Sequence, residues 1–336
     1  MCGIAGYFGK ADIPEERTRA CLALMGRRGP DYAAVKRWAG SPGPNAVLLH
    51  SRLSIIDLDP RSHQPLAVGS KWIVFNGELY NYVELRRTLE RGRRAFRTTS
   101  DTEVLLSALD TFGEAALDRC EGMWAFAVYD EADGSLLLSR DRFGEKPLYV
   151  YREAGGIYFG SEAKFIFALL GRRLEINPDH LFRYLVNGYK ALYKKAASFF
   201  RGLSEVPPGT VLRLNGDGAE TSSRYWRPPT EVDETMTREK AVAGTRERLI
   251  RAVELRLRAD VPLAFCMSGG IDSNALVAIA KRVFAYDVHG FTIVNTDARY
   301  EEQAQVECSV RELGIRHTRV SASSGSFLDR LRELVR

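Results

Sequence analysis

Helix and strand patterns alternate strictly beyond residue 237 and do not before residue 226, and this contrast most constrains what the chain can fold into. The later segment predicts a helix over Arg238–Leu257, a strand over Pro262–Met267, a helix over Ile271–Phe284 and a strand over Val288–Asn295. A helix over Glu301–Leu313, a strand over His317–Ser321 and a helix over Phe327–Leu334 follow. Such alternation needs crossover connections, and these give a parallel sheet wound by helices. In the earlier segment Asn45–Ile56, Lys71–Phe75, Met123–Asp130, Ser135–Asp141 and Pro147–Gly160 are rich in β-branched or aromatic residues and bounded by Gly, Pro or Asp. They read as strands and hairpins. Tyr82–Glu90 spaces Val83, Leu85 and Leu89 at helical intervals, and Thr102–Phe112 does so with Val104, Leu105 and Leu109. Hairpin-linked strands with helices between them predict an α+β layered domain with mainly antiparallel sheets. Arg227–Thr235 is polar, Pro-bearing and aperiodic, so the expected division is 1–225, a linker 226–240, and 241–336.

The 336 residues suit two domains of about 100–200 each. With 45% hydrophobic and 27% charged residues the chain is an ordinary globular one, which excludes disordered, collagenous and disulfide-scaffold classes. The net charge of +5 is spread out, with no basic block longer than Arg91–Arg94, too weak an excess for a nucleic-acid partner. Five scattered cysteines form no C-x-x-C pair, so neither a disulfide framework nor a zinc site is expected, and a reducing cytoplasm fits. No apolar run approaches the ~18 residues of a membrane-spanning helix. Tyr7, Lys10 and Asp12 fall where a signal peptide would carry its apolar stretch, so no membrane association is expected. A homodimer is compatible with all of this.

Cys2 is the most informative residue. Removing Met1 would place a thiol and a free α-amine on one residue, and an α-amine with a reference pKa of about 7.7–8.0 is a competent base at neutral pH. The bland alternative is a small residue starting a strand. Further motifs follow in order: Arg28-Gly29-Pro30-Asp31, His50-Ser51-Arg52-Leu53-Ser54-Ile55-Ile56-Asp57, Asn76-Gly77-Glu78-Leu79-Tyr80-Asn81, Ser100-Asp101-Thr102-Glu103 and Arg140-Asp141-Arg142-Phe143-Gly144-Glu145-Lys146-Pro147-Leu148. Over residues 2 to about 225 this set resembles the glutaminase domain of class II glutamine amidotransferases, which are N-terminal-nucleophile hydrolases. In detail it resembles the glutamine-hydrolysing asparagine synthetase family.

The resemblance implies an αββα sandwich of antiparallel sheets and assigns roles. Cys2 attacks the glutamine side-chain carbonyl, and the Asn76 side chain and Gly77 N–H stabilise the oxyanion, a task worth about 2.7–4 kcal/mol per donor. The Asn-Gly pair taken alone is a hairpin signal. Binding a free amino acid needs a cation for its carboxylate and an anion for its ammonium. Arg52 is the implied carboxylate clamp, and Glu78 and Asp101 the implied ammonium partners, with Leu53 and Ile55 as further glutamine contacts. Alternatively, Arg52 is a surface charge and Asp101 an N-cap. Arg28–Asp31 reads as a rigid loop over the pocket, and His50 as a core histidine rather than a base.

In the second segment an apolar strand runs into Ser268-Gly269-Gly270-Ile271-Asp272-Ser273 and then a helix. A turn of this kind offers backbone N–H groups to phosphate at a helix N-terminus, or is merely a flexible cap. The motif resembles the PP-loop of ATP-pyrophosphatases and lacks the spacing and Lys of a Walker loop. It implies ATP and Mg²⁺, with Ser268, Gly269, Gly270, Asp272 and Ser273 around the phosphates and their Mg²⁺, and Leu263 and Ile293 near the adenosine; no residue is singled out as a metal ligand. Asn274 stands where the family commonly has a second Ser.

The resemblance thus implies an ATP-dependent amidotransferase whose substrates are glutamine, ATP and a carboxylate, aspartate first. The family's later Ser/Gly/acidic motif and catalytic Lys do not follow, so the second domain is expected to be partial, with glutamine hydrolysis retained. The Tyr189–Lys195 stretch and Asn274 keep open another acceptor, a sugar acid or peptide carboxylate. A non-catalytic regulatory module is the remaining alternative.

Overall fold

The structure, a computed structural model, describes residues 1–40, 43–153, 155–189, 192, 196–294, 302–321 and 327–335. The chain forms two compact units, Met1–Thr230 and Glu231–Arg336.

The first unit holds two six-stranded sheets. One runs, in spatial order, Leu203–Glu205, Tyr149–Glu153, Gly156–Gly160, Gly3–Gly9, Asn45–Arg52 and Tyr32–Trp38. The other runs Glu220–Arg224, Thr210–Leu214, Ser135–Arg140, Gly122–Asp130, Lys71–Leu79 and Leu66–Val68. Neighbouring strands are antiparallel in both, as in the pairs Gly3–Gly9 with Asn45–Arg52 and Lys71–Leu79 with Gly122–Asp130.

Successive strand residues point to opposite faces, and the sequence exploits this. Ile4, Phe8, Ala46 and Leu48 share a core with Val74, Ala125, Ala127, Leu136 and Leu138 of the other sheet. The intervening Ala5, Tyr7, Val47 and Leu49 pack outward on Cys21 and Met25 of the helix Glu15–Met25 and on Phe165 and Leu169 of the helix Ala163–Leu170. On the second sheet Ile73, Phe75, Trp124, Phe126 and Val128 pack on Leu85 and Leu89 of the helix Tyr82–Arg91 and on Val104, Leu105 and Leu109 of Asp101–Phe112. Three cores between four layers make the αββα sandwich anticipated above. Each fully buried Val, Leu, Ile, Phe or Met side chain in them contributes about 1.5–3 kcal/mol.

Two boundaries differ in ways that shape the site. The strand expected over Asn45–Ile56 stops at Arg52, so Leu53–Ile56 are loop, and the strand expected to end at Phe75 continues to Leu79. Pro147–Gly160 is too long for one strand of usual length; it forms the antiparallel pair Tyr149–Glu153 and Gly156–Gly160.

The second unit is a parallel sheet in the order Ala264–Cys266, His289–Val294, Arg316–Ser321, with helices Arg238–Arg256, Ile271–Arg282, Gln303–Leu313 and Phe327–Val335. Val253, Met267, Val277, Ala280, Val288, Val306 and Ile315 form its core. Thr237 caps the first helix by accepting from Lys240 N–H, so residues 238–240 are helical rather than linker. Asn295 and Glu301, the expected ends of a strand and a helix, lie outside the described residues, as do residues 190, 191 and 193–195 of the Tyr189–Lys195 stretch. No helix among the described residues is long and apolar enough to cross a membrane.

Candidate active site

One cavity of ≈ 50 Å³ in the first unit gathers Cys2, Arg52, Leu53, Ile55, Asn76, Gly77, Glu78 and Asp101, every residue of the expected glutamine set. Met1, Ile56, Gln64, Phe75, Thr102 and Lys146 complete its wall.

Cys2 sits just ahead of the central strand Gly3–Gly9. The Leu53 N–H donates to its Sγ at 3.4 Å, and Arg28 Nε donates to its carbonyl at 2.9 Å while Nη1 pairs with Glu162 at 3.0 Å. Arg28 therefore does more than belong to a covering loop, because it ties down the nucleophile's own backbone. Gly29 lets that loop cross the strand end; a Cβ there would lie 2.3 Å from the backbone of Ser51. Burial pushes the Cys2 thiol above its ordinary value, against the Leu53 hydrogen bond, so the sulfur needs a base to ionise. Burial also lowers the Met1 α-amine, with Arg28 and Lys146 acting in the same direction.

Asn76 and Gly77 are not a hairpin turn. They lie within the strand Lys71–Leu79, opposite Ala125 and Trp124. Asn76 is buried, its Nδ2 reaches Ser161 Oγ at a long 3.5 Å, and its Oδ1 has no partner among the described residues. Gly77 admits no side chain, since a Cβ would lie 2.1 Å from Met123 O and 2.8 Å from Trp124 Cα.

Arg52 ends the strand Asn45–Arg52 and is 4% exposed, so it is not a surface charge. Its Nη1 donates to Asp59 O at 3.3 Å and meets His63 Nδ1 at 3.0 Å. Its Nη2 donates to Ile56 O at 3.3 Å and to Asp57 O. Among the described residues it forms no ion pair, which leaves a buried guanidinium held by neutral acceptors.

Asp101 is the first residue of its helix, not its cap. Ser100 accepts from the N–H groups of Thr102 and Glu103, which frees Asp101 Oδ2 to accept from Leu79 N–H at 2.9 Å. Burial pushes the Asp101 carboxyl up to about 7, with the nearby Glu78 adding to the shift. His50 is fully buried, its Nε2 lies 3.2 Å from Phe75 O, and burial holds it down at about 3. It is a neutral core histidine, and it does not line the cavity.

The residue that sequence reasoning passed over is Lys146, 6% exposed in the cavity wall. Burial lowers its ammonium, against the attraction of Glu78. The Asp141 carboxylate accepts from the N–H groups of Phe143, Glu145 and Lys146 at 2.9–3.0 Å, and Arg140 Nε donates to Lys146 O at 2.8 Å. The Arg140–Leu148 motif is thus a turn that aims one lysine, which nothing in the sequence sets apart from the other charged residues of the motif.

In the second unit Gly270 caps the helix Ile271–Arg282, and the loop before it is closed by side chains. Ser268 Oγ and Ser273 Oγ are 3.1 Å apart. Asn274 Nδ2 donates to Ser268 O at 3.0 Å and Gly270 O at 2.7 Å, a closing role that a shorter Ser would not fill in this way. The Glu302 carboxylate accepts from Gly269 N–H at 2.8 Å, so one amide of the loop already meets an anionic oxygen, as a phosphate would require. Asp272 is exposed on the first helical turn. Among the described residues no group of three or more His, Cys, Asp or Glu could hold a metal ion. Ile293 is 73% exposed at the carboxyl end of the sheet, beside the loop, because Met267 N–H bonds Phe291 O at 2.8 Å. Leu263 is not brought there: it precedes its strand at the amino end, about 16 Å of extended chain before Ser268.

Residues 1–226 match the glutamine amidotransferase domain family, and residues 244–336 match the asparagine synthase family. Glutamine-hydrolyzing asparagine synthetase 3 of Bacillus subtilis is 32% identical over 363 residues, covering 100% of this chain and 56% of that protein. Glutamine-hydrolyzing asparagine synthetase 1 of the same organism is 30% identical over 345 residues, covering 100% and 52%. This chain spans about half the length of the curated relatives it matches. Among solved structures, glutamine phosphoribosylpyrophosphate amidotransferase from B. subtilis superposes with a TM-score of 0.51 at 17% identity, covering 98% of this chain and 92% of that one, a likeness of fold.

Proposed function

This chain belongs to the asparagine synthetase family of glutamine amidotransferases, and on that premise we propose that its first unit hydrolyses glutamine to glutamate and ammonia at Cys2. The observation that carries the reading is the single cavity shared by Cys2, Asn76, Gly77, Arg52 and Asp101. Loss of Met1 exposes the Cys2 α-amine, which takes the thiol proton. The thiolate adds to the side-chain carbonyl carbon of glutamine, and the resulting oxyanion is met by Asn76 Nδ2–H and Gly77 N–H. The proton held on the α-amine passes to the leaving nitrogen, the C–N bond breaks, and ammonia departs from a thioester. Water then adds to the thioester, giving glutamate and restoring the thiol. Arg52 pairs with the substrate carboxylate, and Asp101, with Glu78 nearby, pairs with its ammonium.

In the second unit Ser268, Gly269, Gly270 and Ser273 would hold the phosphates of ATP, with Asp272 toward Mg²⁺ and Ile293 toward the adenosine. The nucleotide's chemistry there is to activate a carboxylate, that of aspartate first, for attack by ammonia. The test is glutamate release from glutamine by the purified chain. Activity lost by at least about 10³-fold in Cys2→Ala supports the reading; unchanged turnover in that variant removes it.

A further inference from the structure

Arg52 would be the ligand for one end of the substrate, yet its guanidinium is itself held in an unusual way. Its two Nη atoms are taken by the carbonyls of Ile56, Asp57 and Asp59 and by one side chain, His63, whose Nδ1 lies 3.0 Å from Nη1. Among the described residues Nε–H has no hydrogen-bond partner. An arginine always donates, so His63 Nδ1 must accept, which requires a neutral ring carrying its proton on Nε2. Burial, followed by the charge of Arg52, holds His63 below the ordinary histidine value, consistent with that neutral form. The ring is fixed from its other side by Tyr32, stacked at 3.7 Å between centroids and 3° between planes. Tyr32 begins the edge strand Tyr32–Trp38 and is the cross-strand partner of Arg52 itself. The strand pairing therefore sets Arg52 and Tyr32 side by side, and His63 closes the triangle from the loop that follows Ser62.

We propose that His63, braced by Tyr32, is a positioning residue that turns the Arg52 guanidinium so that Nε–H and its charge are presented to the substrate carboxylate, and that it sets the affinity for glutamine rather than the rate of its cleavage. The inference rests on the glutaminase reading of the cavity. His63 touches neither the nucleophile nor the oxyanion donors. Its loss lets the guanidinium rotate between the carbonyls, weakening a ground-state contact that persists unchanged in the transition state, and such a loss raises KM and leaves kcat alone.

Two substitutions separate the acceptor from the ring. His63→Phe keeps a ring to stack on Tyr32 and removes the acceptor; His63→Asn offers Oδ1 close to the position of Nδ1 and removes the stack. Steady-state glutamine hydrolysis by the full chain should show KM raised about tenfold in His63→Phe with kcat within about twofold, and His63→Asn near the parent KM. Tyr32→Ala, at a strand-end residue 37% exposed, gives a second route should His63→Phe fail to fold, with KM raised about threefold. An active parent with unchanged KM in the first variant, or in Tyr32→Ala where it stands in, overturns this inference alone, as does a fall in kcat at constant KM. A parent chain that turns over no glutamine overturns the site reading and this inference together.

Discussion

Asp101 carries a buried carboxylate whose proton leaves only near neutrality, and that single property gives the proposed site a pH signature. Before an ammonium pairs with it, the group is protonated below about 7 and charged above it. Pairing with an ammonium requires the charged form, so binding below that point must first expel a proton. In Cys2→Ala, which binds without turnover, the glutamine Kd should fall about tenfold per pH unit up to about 7 and then level off, measured by calorimetry. Asp101→Asn should bind weakly and without that slope; an equal slope in both would assign the titration elsewhere. Residue identities at this site were legible because its chemistry demands particular types: sulfur next to a future amine, and a cation and anions for an amino acid. Ser100 took the cap that Asp101 was also suited to, a competition between adjacent cap formers that sequence cannot decide. Lys146 was illegible because the turn that aims it depends on Asp141, whose carboxylate gathers N–H groups from four other residues, among them the distant Trp124.

The element that does most for the site is the strand Lys71–Leu79, which packs the second sheet with Ile73 and Phe75 and carries Asn76, Gly77 and Glu78 into the cavity. Gly77→Ala tests that double duty. A Cβ 2.1 Å from Met123 O can be relieved only by separating two central strands, so stability should drop by about 1–3 kcal/mol in denaturant unfolding. The displaced N–H should cost about 10²-fold or more in kcat; parent-like kcat would exclude this amide as an oxyanion donor. Strands of this kind were readable from their β-branched and aromatic content, but their ends were not. Leu53, Ile55 and Ile56 return to the apolar composition of the preceding strand after His50-Ser51-Arg52, yet they are loop and line the cavity. The helix Glu15–Met25 gave no signal at all: its buried residues are Thr18, Cys21 and Met25, set among Glu15, Glu16, Arg17 and Arg19, too few and too mixed to make an apolar stripe.

At the scale of the whole molecule, two classes of order were visible as a change in periodicity, because antiparallel layers and wound parallel sheets impose different rhythms on a chain. The second unit's elements fell within a few residues of expectation, since its first two short strands are each followed by a helix that adds to the shared core. What linear reading could not supply was the level at which residues meet across that sheet, which is why Leu263 was expected at a loop that Ile293 adjoins. The central claim concerns one thiol among five, and two of the others, Cys266 and Cys308, are exposed. The direct measurement is the intact mass and peptide map of the chain after treatment with an electrophilic analogue of glutamine. The account predicts a chain lighter by one methionine, carrying one label at Cys2 that excess glutamine prevents. A retained Met1, or label on Cys266 or Cys308 that glutamine does not affect, would contradict it.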